Sequence, residues 1–304
     1  MNPYYRDYSD FLGSLFPGVK MQKLSVNAGF TCPNRDGTIG HGGCIYCNNA
    51  SFSPSYCDPA QDIVTQLEEG KRFFGRKYPH MRYLAYFQSY TNTYGDEKQL
   101  DTLYRQALGV DKVDGIIIGT RPDCVPEGLL DMLADIDRND ARVIIELGAE
   151  SSHNSTLESI NRGHTWECTV DAVKRIKARG IAVGLHFIMG LPGENTSDML
   201  ATVDAVNDLK PQCVKFHQLQ VLRGTALYSA VKADDGLVHL FTVEEYIDLC
   251  ASIVRRLDRN IAIERFVSQA PESLLVGPKW GLKNYQFTNL LHAKLAELRN
   301  NDID

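Results

Sequence analysis

The sequence predicts an α/β protein whose parallel sheet curves into a partial or full barrel. Short apolar runs alternate with amphipathic segments along most of the 304 residues. The runs are too continuously apolar to face water on either side, which is typical of parallel strands covered by helices. Polar residues also recur near the ends of successive strands, where parallel α/β folds carry their sites. These residues are Gln88, Thr120, Glu150, His186 and Gln218.

The first half of the chain contributes three strands and two helices to this pattern. KLSVNAGF, RYLAYFQ and GIIIGT are short and rich in apolar, β-branched or aromatic residues, which indicates strands at 23–30, 82–88 and 115–120. Two longer segments repeat apolar residues at helical spacing and predict helices at 58–74 and 97–108. Asp58 and Pro59 suit the cap and the first turn of the earlier helix.

The second half continues the same alternation. Strands are predicted at 142–150, 181–190 and 213–222. Helices are predicted at 126–137, 166–180 and 196–209. These helices are long enough for right-handed crossovers between neighbouring parallel strands. The six strands therefore predict a partial (β/α)6 barrel of the TIM-like kind, with a small C-terminal extension.

The regularity weakens after Thr225, and this change sets the predicted domain division. A further helix is expected at 242–257, then the segment IAIERFV, and a final helix near 286–298. No linker rich in Pro, Gly or Ser interrupts the chain. We predict an N-terminal extension, a core barrel and a C-terminal extension packed on the core. Their ranges are 1–19, 20–227 and 228–304.

Composition and charge exclude several classes of protein. The N-terminus lacks a basic stretch followed by an apolar run, and no window approaches the ~18 apolar residues of a membrane span. A cytoplasmic protein with no membrane partner is therefore expected. The net charge of −6 gives no general attraction for nucleic acid, so any such partner must use a local patch. Clustered cysteines in a cytoplasmic chain suggest metal, and scattered ones suggest buried apolar positions.

One loop gathers Cys32, Cys44 and Cys47 among four glycines, directly after the first predicted strand. A structural zinc ion needs four ligands, which His41 or Cys57 could complete. The C-x2-C spacing serves zinc and iron–sulfur clusters equally. The position of the loop favours iron and sulfur, because it leaves a strand on the face where the other strand ends converge. Three thiolates are also the right number for a 4Fe-4S cluster that keeps one iron open to a ligand.

The motifs CPNRDGTIGHGGCIYC, YFQSYT, GTRPDC, ELGAES, INRGH and GLPGE resemble, as an ordered set, the radical S-adenosylmethionine (SAM) superfamily. They are most similar to its YhcC-type branch, which is related to the elongator-like, tRNA-modifying enzymes. The resemblance covers roughly Lys20 to Leu227. The spacing C-x11-C-x2-C departs from the superfamily's commonest C-x3-C-x2-C, and longer first gaps are typical of the elongator-related branch.

This resemblance implies a 4Fe-4S cluster held by the three cysteines and SAM bound to its open iron. Reductive cleavage of SAM would give a 5′-deoxyadenosyl radical that takes a hydrogen atom from the substrate. It also implies an electron donor such as flavodoxin or ferredoxin. The SYT segment stands where the superfamily usually shows a Gly-Gly pair. The residues that match the family's SAM contacts are Tyr46, Ser89, Tyr90, Thr91, Glu150, Arg162, His186, Ile188, Gly190, Gln218 and Leu219.

The substrate is less constrained by the sequence. The resemblance favours tRNA, with carboxymethylaminomethyluridine at the wobble position losing its carboxymethyl portion to leave aminomethyluridine. The alternatives are the same chemistry on a protein or a small metabolite, and a zinc-stabilised binding protein without catalysis. Residues that could face a substrate, or instead brace loops, are Arg121, Asp123, His164, Lys215 and His217. Cys57 could donate a hydrogen atom, bind a second cluster or be an unreactive thiol.

A basic and aromatic segment, KRFFGRKYPHMR at 71–82, is a candidate contact for RNA. Cations beside aromatic rings suit the phosphates and unstacked bases of a single-stranded loop. The alternative is a helix end whose charges are solvated and whose aromatic rings pack inward, and Phe73 fits the apolar face of such a helix.

Overall fold

The structure of the protein is a computed structural model that describes residues 2–51, 53–75 and 80–301. Its strands are β1 (Met21–Val26), β2 (Arg82–Phe87), β3 (Val113–Thr120), β4 (Arg142–Glu150), β5 (Ala182–Met189), β6 (Cys213–Gln218), β7 (Val221–Leu222), β8 (Ala262–Ile263) and β9 (Leu275–Gly277). Its α-helices are α1 (Tyr8–Leu15), α2 (Ile63–Gly75), α3 (Glu97–Leu108), α4 (Glu127–Asn139), α5 (Asn154–Ser159), α6 (Trp166–Ala178), α7 (Thr196–Leu209), α8 (Ala226–Ala233), α9 (Val243–Arg256) and α10 (Asn284–Asn301).

Seven parallel strands form the main sheet in the order β1-β2-β3-β4-β5-β6-β8. The predicted parallel α/β fold is confirmed, and all six predicted strands are present. The prediction of six strands omitted β8, which comes from IAIERFV and lies beyond the predicted boundary at residue 227. The C-terminal part of the chain therefore contributes a strand to the sheet.

The sheet is strongly curved. Lys23 of β1 places its Nζ 2.7 Å from Glu146 of β4 and 2.6 Å from Glu264, which follows β8. In a flat sheet β1 and β4 would lie about 14 Å apart, since each strand adds about 4.8 Å. The strands must therefore curl so that side chains from distant strands meet inside, as in a partial barrel.

The two faces of the sheet bury different clusters. Alternate residues such as Ala85 and Phe87 of β2 face outward and join the large core beneath the helices. Leu84, on the other face, packs inside the barrel with residues from the amino-terminal halves of the neighbouring strands. Phe11 and Leu12 of α1 belong to this inner cluster. Helix α1 therefore packs against the apolar interior of the barrel.

Local hydrogen bonds explain where the predicted element boundaries were wrong. Helix α2 begins at Ile63, not at Asp58, because the Asp58 carboxylate accepts from the Ala60 N–H in a turn of its own. Asp62 accepts from the Thr65 N–H at 2.8 Å and occupies the capping position instead. The sixth predicted strand is divided into β6 and β7, and β7 pairs with β9. No described helix is long and apolar enough to cross a membrane.

Candidate active site

A cavity opens at the carboxyl ends of the strands. It has a volume of about 220 Å³ and is open to solvent. The five polar residues expected near strand ends all line it. His186 does so from the middle of β5, and the other four lie at or just beyond the ends of their strands. The convergence expected of a parallel sheet thus produces a site.

The loop after β1 brings Cys32, Cys44 and Cys47 to the wall of this cavity. The loop is fastened to the INRGH segment by side-chain and backbone hydrogen bonds. Asn161 Nδ2 donates to the Gly43 carbonyl at 2.8 Å, and the Ile45 N–H donates to the Ile160 carbonyl at 3.1 Å. Two motifs that lie more than a hundred residues apart therefore form one structural unit.

Glycine is needed where this loop turns beside Arg35. Gly43 has φ +81°, and a Cβ atom there would lie 3.0 Å from the Arg35 side chain. Arg35 lines the cavity and stands over the Tyr90 ring at 5.5 Å. A larger residue at position 43 would be strained and would push this arginine from its place.

Hydrogen-bond donors surround the Cys44 sulfur. Arg162 Nη1 lies 3.5 Å from it, and Asn34 Nδ2 lies 3.7 Å from it. Burial and the neighbouring Cys44 raise the pKa of Cys47 to about 11. That thiol therefore stays protonated without a metal, and the positive charge of a bound metal would be required to form the thiolate.

The candidate fourth ligands, His41 and Cys57, bear on the choice between the two metal hypotheses. In the described part of the chain, no three His, Cys, Asp or Glu side chains are grouped so as to hold a metal ion. A zinc ion needs four ligands about 2 Å from one point. His41 is exposed and Cys57 donates to the Ser25 carbonyl, so neither completes such a set. The three cavity-lining thiols suit a larger, multi-iron group better than a structural zinc ion.

Buried polar atoms around the cavity also fit a ligand. Ten buried side-chain nitrogen or oxygen atoms of the described residues have no hydrogen-bond partner, and five belong to cavity-lining residues. Such atoms are rare in folded proteins unless something else satisfies them. These five residues are Asn49, Thr91, Arg121, Arg162 and Arg265. The donors present are those that a bound carboxylate or ribose would use.

Arg162 and Glu150 face each other at the end of β4. The pairing register of β4 shifts between Gly148 and Glu150, and Glu150 has φ +70°, which turns its side chain into the cavity. Glu150 Oε1 lies 3.6 Å from Arg162 Nη2, which also donates to the Gly148 carbonyl. A Cβ atom on Gly148 would lie 2.6 Å from the Glu150 oxygen and 2.7 Å from the arginine nitrogen. The glycine therefore makes room for this pair.

An inner ion network lies below the cavity and consists of Lys23, Glu146, His186, Lys215 and Glu264. Lys215 Nζ is 3.1 Å from one oxygen of each glutamate, and Lys23 Nζ contacts the other oxygen of each. Burial would raise the pKa of Glu146, but Lys215, Lys23 and His186 hold it well below its usual value. Burial and Lys215 lower the pKa of His186, so its neutral ring donates from Nε2 to Glu146 Oε2 at 2.8 Å.

Most of the residues matched to SAM contacts line the cavity. They are Tyr46, Tyr90, Thr91, Glu150, Arg162, His186, Ile188, Gln218 and Leu219. Ser89 and Gly190 do not line it. Ser89 is buried beside Ser53, and a Cβ atom on Gly190 would collide with Phe241. The SAM-contact assignments remain predictions, and the structure separates these two positions from the rest.

The candidate substrate-facing residues divide in the same way. Arg121 and His217 line the cavity, whereas Asp123, His164, Lys215 and Cys57 do not. Asp123 accepts two hydrogen bonds from Arg121, at 2.9 and 2.8 Å, and so orients that arginine. Lys215 belongs to the inner ion network. Burial raises the pKa of Cys57 to about 12, and its thiol points to a backbone carbonyl.

Two histidines make the folded protein sensitive to acid. Burial and Arg265 lower the pKa of His217 to about 3, and burial and Arg162 do the same for His164. Both values lie below the usual 6.5, so the unfolded chain binds protons first as the pH falls, and stability is lost below about pH 6.5. Urea titrations at about pH 7.5 and pH 5.5 should show a loss of about 1 kcal/mol for each histidine. His217→Gln should remove the part of this pH-dependent loss of stability that His217 causes. An unchanged pH dependence in the variant would contradict this.

Sequence reasoning missed several cavity and network residues. These are Lys23, Arg35, Asn48, Asn49, Ser51, Tyr86, Glu146, Gln220, Glu264, Arg265 and Ser268. Lys23 and Glu146 could have been found from the sequence, because each is a charged residue inside an apolar strand. Both occupy inward positions of strands that are otherwise apolar, and buried charges are almost always paired. Arg265 and Ser268 follow a strand of only two residues, which left no periodicity to detect.

The basic and aromatic segment is only partly described. Phe73 is 70% exposed and makes an edge contact with Phe74, so the expectation that it packs inward is wrong. Arg76, Lys77 and Tyr78 lie outside the described residues. The RNA contact proposed for this segment therefore remains a prediction.

Comparisons with known proteins give a consistent family. A model of the radical SAM superfamily matches residues 31–206, and a model of the radical SAM C-terminal domain matches residues 211–297. Protein YhcC of Escherichia coli is 36% identical over 266 residues, which are 86% of this chain and 83% of that protein.

Two further similarities concern proteins with lower sequence identity. The tRNA uridine(34) acetyltransferase of Methanocaldococcus jannaschii is 28% identical over 164 residues, which are 53% of this chain and 29% of that protein. The solved structure of Elp3 from Methanocaldococcus infernus, with an N-terminal deletion, superposes with a TM-score of 0.70 at 18% identity. It covers 92% of this chain and 63% of that chain, and at this identity it shows a shared fold.

Proposed function

The chain belongs to the radical SAM superfamily, and from this membership we propose that it is an enzyme that modifies the wobble uridine of tRNA. The enzyme class follows from the family, which removes the hypothesis of a zinc-stabilised protein without catalysis. The proposed reaction oxidises the methylene carbon next to the carboxylate of carboxymethylaminomethyluridine, with SAM as the two-electron acceptor. Water then releases the carboxymethyl portion as glyoxylate and leaves aminomethyluridine. Reaction on a protein or a small metabolite is the alternative.

The cofactors of the family are a 4Fe-4S cluster and SAM, and the residues at the cavity fit them. Cys32, Cys44 and Cys47, which line the cavity, would hold the cluster. When bound, the cluster supplies the electron that cleaves SAM and produces the radical that abstracts hydrogen. Flavodoxin or ferredoxin is the proposed source of that electron.

The protein's own residues would bind and orient SAM. Arg162 presents a planar guanidinium whose Nε has no hydrogen-bond partner among the described residues, which suits a carboxylate. Glu150 stands beside it, with its Oε1 3.6 Å from Arg162 Nη2, and could accept hydrogen bonds from ribose hydroxyls. His186 is neutral and fixed through Nε2 to Glu146, so its Nδ1 is an acceptor and not a positive charge. The buried cluster that includes Phe11, Leu12 and Leu84 packs inside the barrel and leaves it apolar there.

The similarity to the tRNA uridine(34) acetyltransferase carries the tRNA part of the proposal. It covers 53% of this chain, and the relative's name places its action at the same nucleotide. The methylene group between the amine and the carboxylate of the uridine side chain is a chemically reasonable site for hydrogen abstraction. A cytoplasmic location belongs to the same proposal, since tRNA is found there and all eight cysteines of the chain are free.

Nucleoside analysis of tRNA from a deletion strain tests the proposed reaction. Carboxymethylaminomethyluridine should accumulate and aminomethyluridine should disappear. The intact gene should restore the profile, whereas a Cys32→Ala copy should not. An unchanged profile would reject tRNA as the substrate and favour a protein or a small metabolite.

A further inference from the structure

We propose that Arg265 binds the carboxylate of the substrate's uridine side chain, at a subsite separate from the SAM carboxylate site. This inference rests on the proposed function, because it assigns a partner to one group of the proposed substrate. Arg265 lines the cavity from the segment that follows β8. Arg162 reaches the same cavity from the region after β4, three strands away in the sheet.

The position of Arg265 is fixed by backbone pairing with β6. The Glu264 N–H donates to the Val214 carbonyl at 2.8 Å, and the Phe216 N–H donates to the Arg265 carbonyl at 3.1 Å. Gln218 makes two hydrogen bonds to the segment that follows β8. Its Nε2 donates to the Ser268 carbonyl at 3.0 Å, and its Oε1 accepts from the Ser268 N–H at 3.1 Å. Gln220 donates to the same carbonyl at 3.1 Å. The arginine therefore extends from a rigid support.

The charges nearby are balanced without Arg265. Each oxygen of Glu264 contacts one lysine, Lys23 or Lys215, and the oxygens of Glu146 are engaged by the same two lysines and by His186. Two lysines and two glutamates cancel. None of the ion pairs among the described residues includes Arg265, and its buried Nε has no hydrogen-bond partner.

A comparison with the other cavity arginines supports an anionic ligand. Arg121 pairs with Asp123, and Arg162 faces Glu150. Arg35 lies over the ring of Tyr90. Among the described residues Arg265 has no such partner, and a guanidinium in the wall of a cavity is well suited to bind a carboxylate through two parallel hydrogen bonds. Binding at this point would also hold the methylene group next to the carboxylate in a fixed place, as hydrogen abstraction requires.

Binding of two anticodon stem-loops tests the assignment, one carrying carboxymethylaminomethyluridine and one carrying unmodified uridine. The reconstituted wild-type enzyme should bind the modified stem-loop about tenfold or more tightly, as expected for a charge-assisted pair. Arg265→Met should bind both stem-loops equally, and Arg265→Lys should restore part of the preference. Arg223→Met is the matched control, because Arg223 is exposed, lies after β7 and should leave the preference intact.

The outcomes separate this inference from the proposed function. If the tRNA profile shows the proposed reaction but Arg265→Met keeps the wild-type preference, the Arg265 assignment is wrong. Equal weakening of both stem-loops would assign Arg265 to a backbone phosphate and would also overturn it. Equal binding of both stem-loops by the wild type would exclude any carboxylate subsite. An unchanged tRNA profile would instead reject the proposed function itself.

Discussion

Replacing Cys44 by alanine is expected to abolish SAM cleavage and to prevent the protein from holding a complete cluster. Cys44 is one of three cavity-lining thiols, and Arg162 and Asn34 already place donors beside its sulfur. Loss of a residue that merely orients a metal ligand costs about 10- to 100-fold in affinity or activity, so loss of a ligand should cost about a thousandfold or more. Iron and sulfide analysis after anaerobic reconstitution, with chromatographic detection of 5′-deoxyadenosine, measures both effects.

Cys57→Ala is the control for this experiment. Cys57 is also buried and lies only ten residues beyond Cys47, but it is outside the cavity. The variant should keep its iron, its sulfide and its SAM cleavage. Full cleavage by Cys44→Ala would reject the ligand assignment, and loss of the cluster in Cys57→Ala would identify a fourth ligand.

Replacing Glu146 by glutamine is expected to destabilise the protein by about 3 to 5 kcal/mol. The change leaves Lys23 and Lys215 facing the single carboxylate of Glu264 in a buried site. Because the folded pKa of Glu146 lies well below 4.5, its contribution is present above that pH and is lost as the pH falls through the folded value. Urea unfolding at neutral pH measures the loss.

Charge balance can be restored in a second variant. Glu146→Gln combined with Lys215→Met leaves one lysine and one glutamate, and it should recover at least half of the lost stability. Glu127→Gln is the surface control, since Glu127 pairs with Arg175 and Arg179 in an exposed position and should cost at most about 1 kcal/mol. Equal effects of Glu146→Gln and Glu127→Gln would show that the inner ion network does not stabilise the fold.

The fold could be predicted where periodicity was long and consistent. Strands β2 to β5 and helices α3, α4 and α6 lie close to their expected bounds because burial on both faces, or on one helical stripe, leaves a clear pattern. The start of α2 could not be predicted in this way. Asp58 and Asp62 are both adequate caps, and only the local turn at Asp58 decides between them. Strand β8 was too short to show a period, and its pairing with β6 is set by tertiary packing.

The candidate site could be predicted to the extent that strand ends and motifs define it. The three cysteines and the strand-end polar residues reach one cavity, as the parallel topology requires. The pairing of Lys23 with Glu146 and Glu264 depends on the curvature of the sheet, since these residues belong to distant strands. A sequence pattern shows that a charge lies in an apolar strand, but it does not show which charge it meets.

The adjacent residues Glu264 and Arg265 limit how far the chain can be truncated. Glu264 neutralises a lysine of the first strand, whereas Arg265 forms part of the wall around the cavity. A chain shortened to the predicted core barrel, residues 20–227, would keep Lys23, Lys215 and Glu146 but lack Glu264 and Arg265, leaving an excess of positive charge in the inner ion network and a gap in the wall of the cavity. The buried charges balance only when Glu264 is present. A minimal catalytic fragment therefore has to extend past the seventh parallel strand of the sheet.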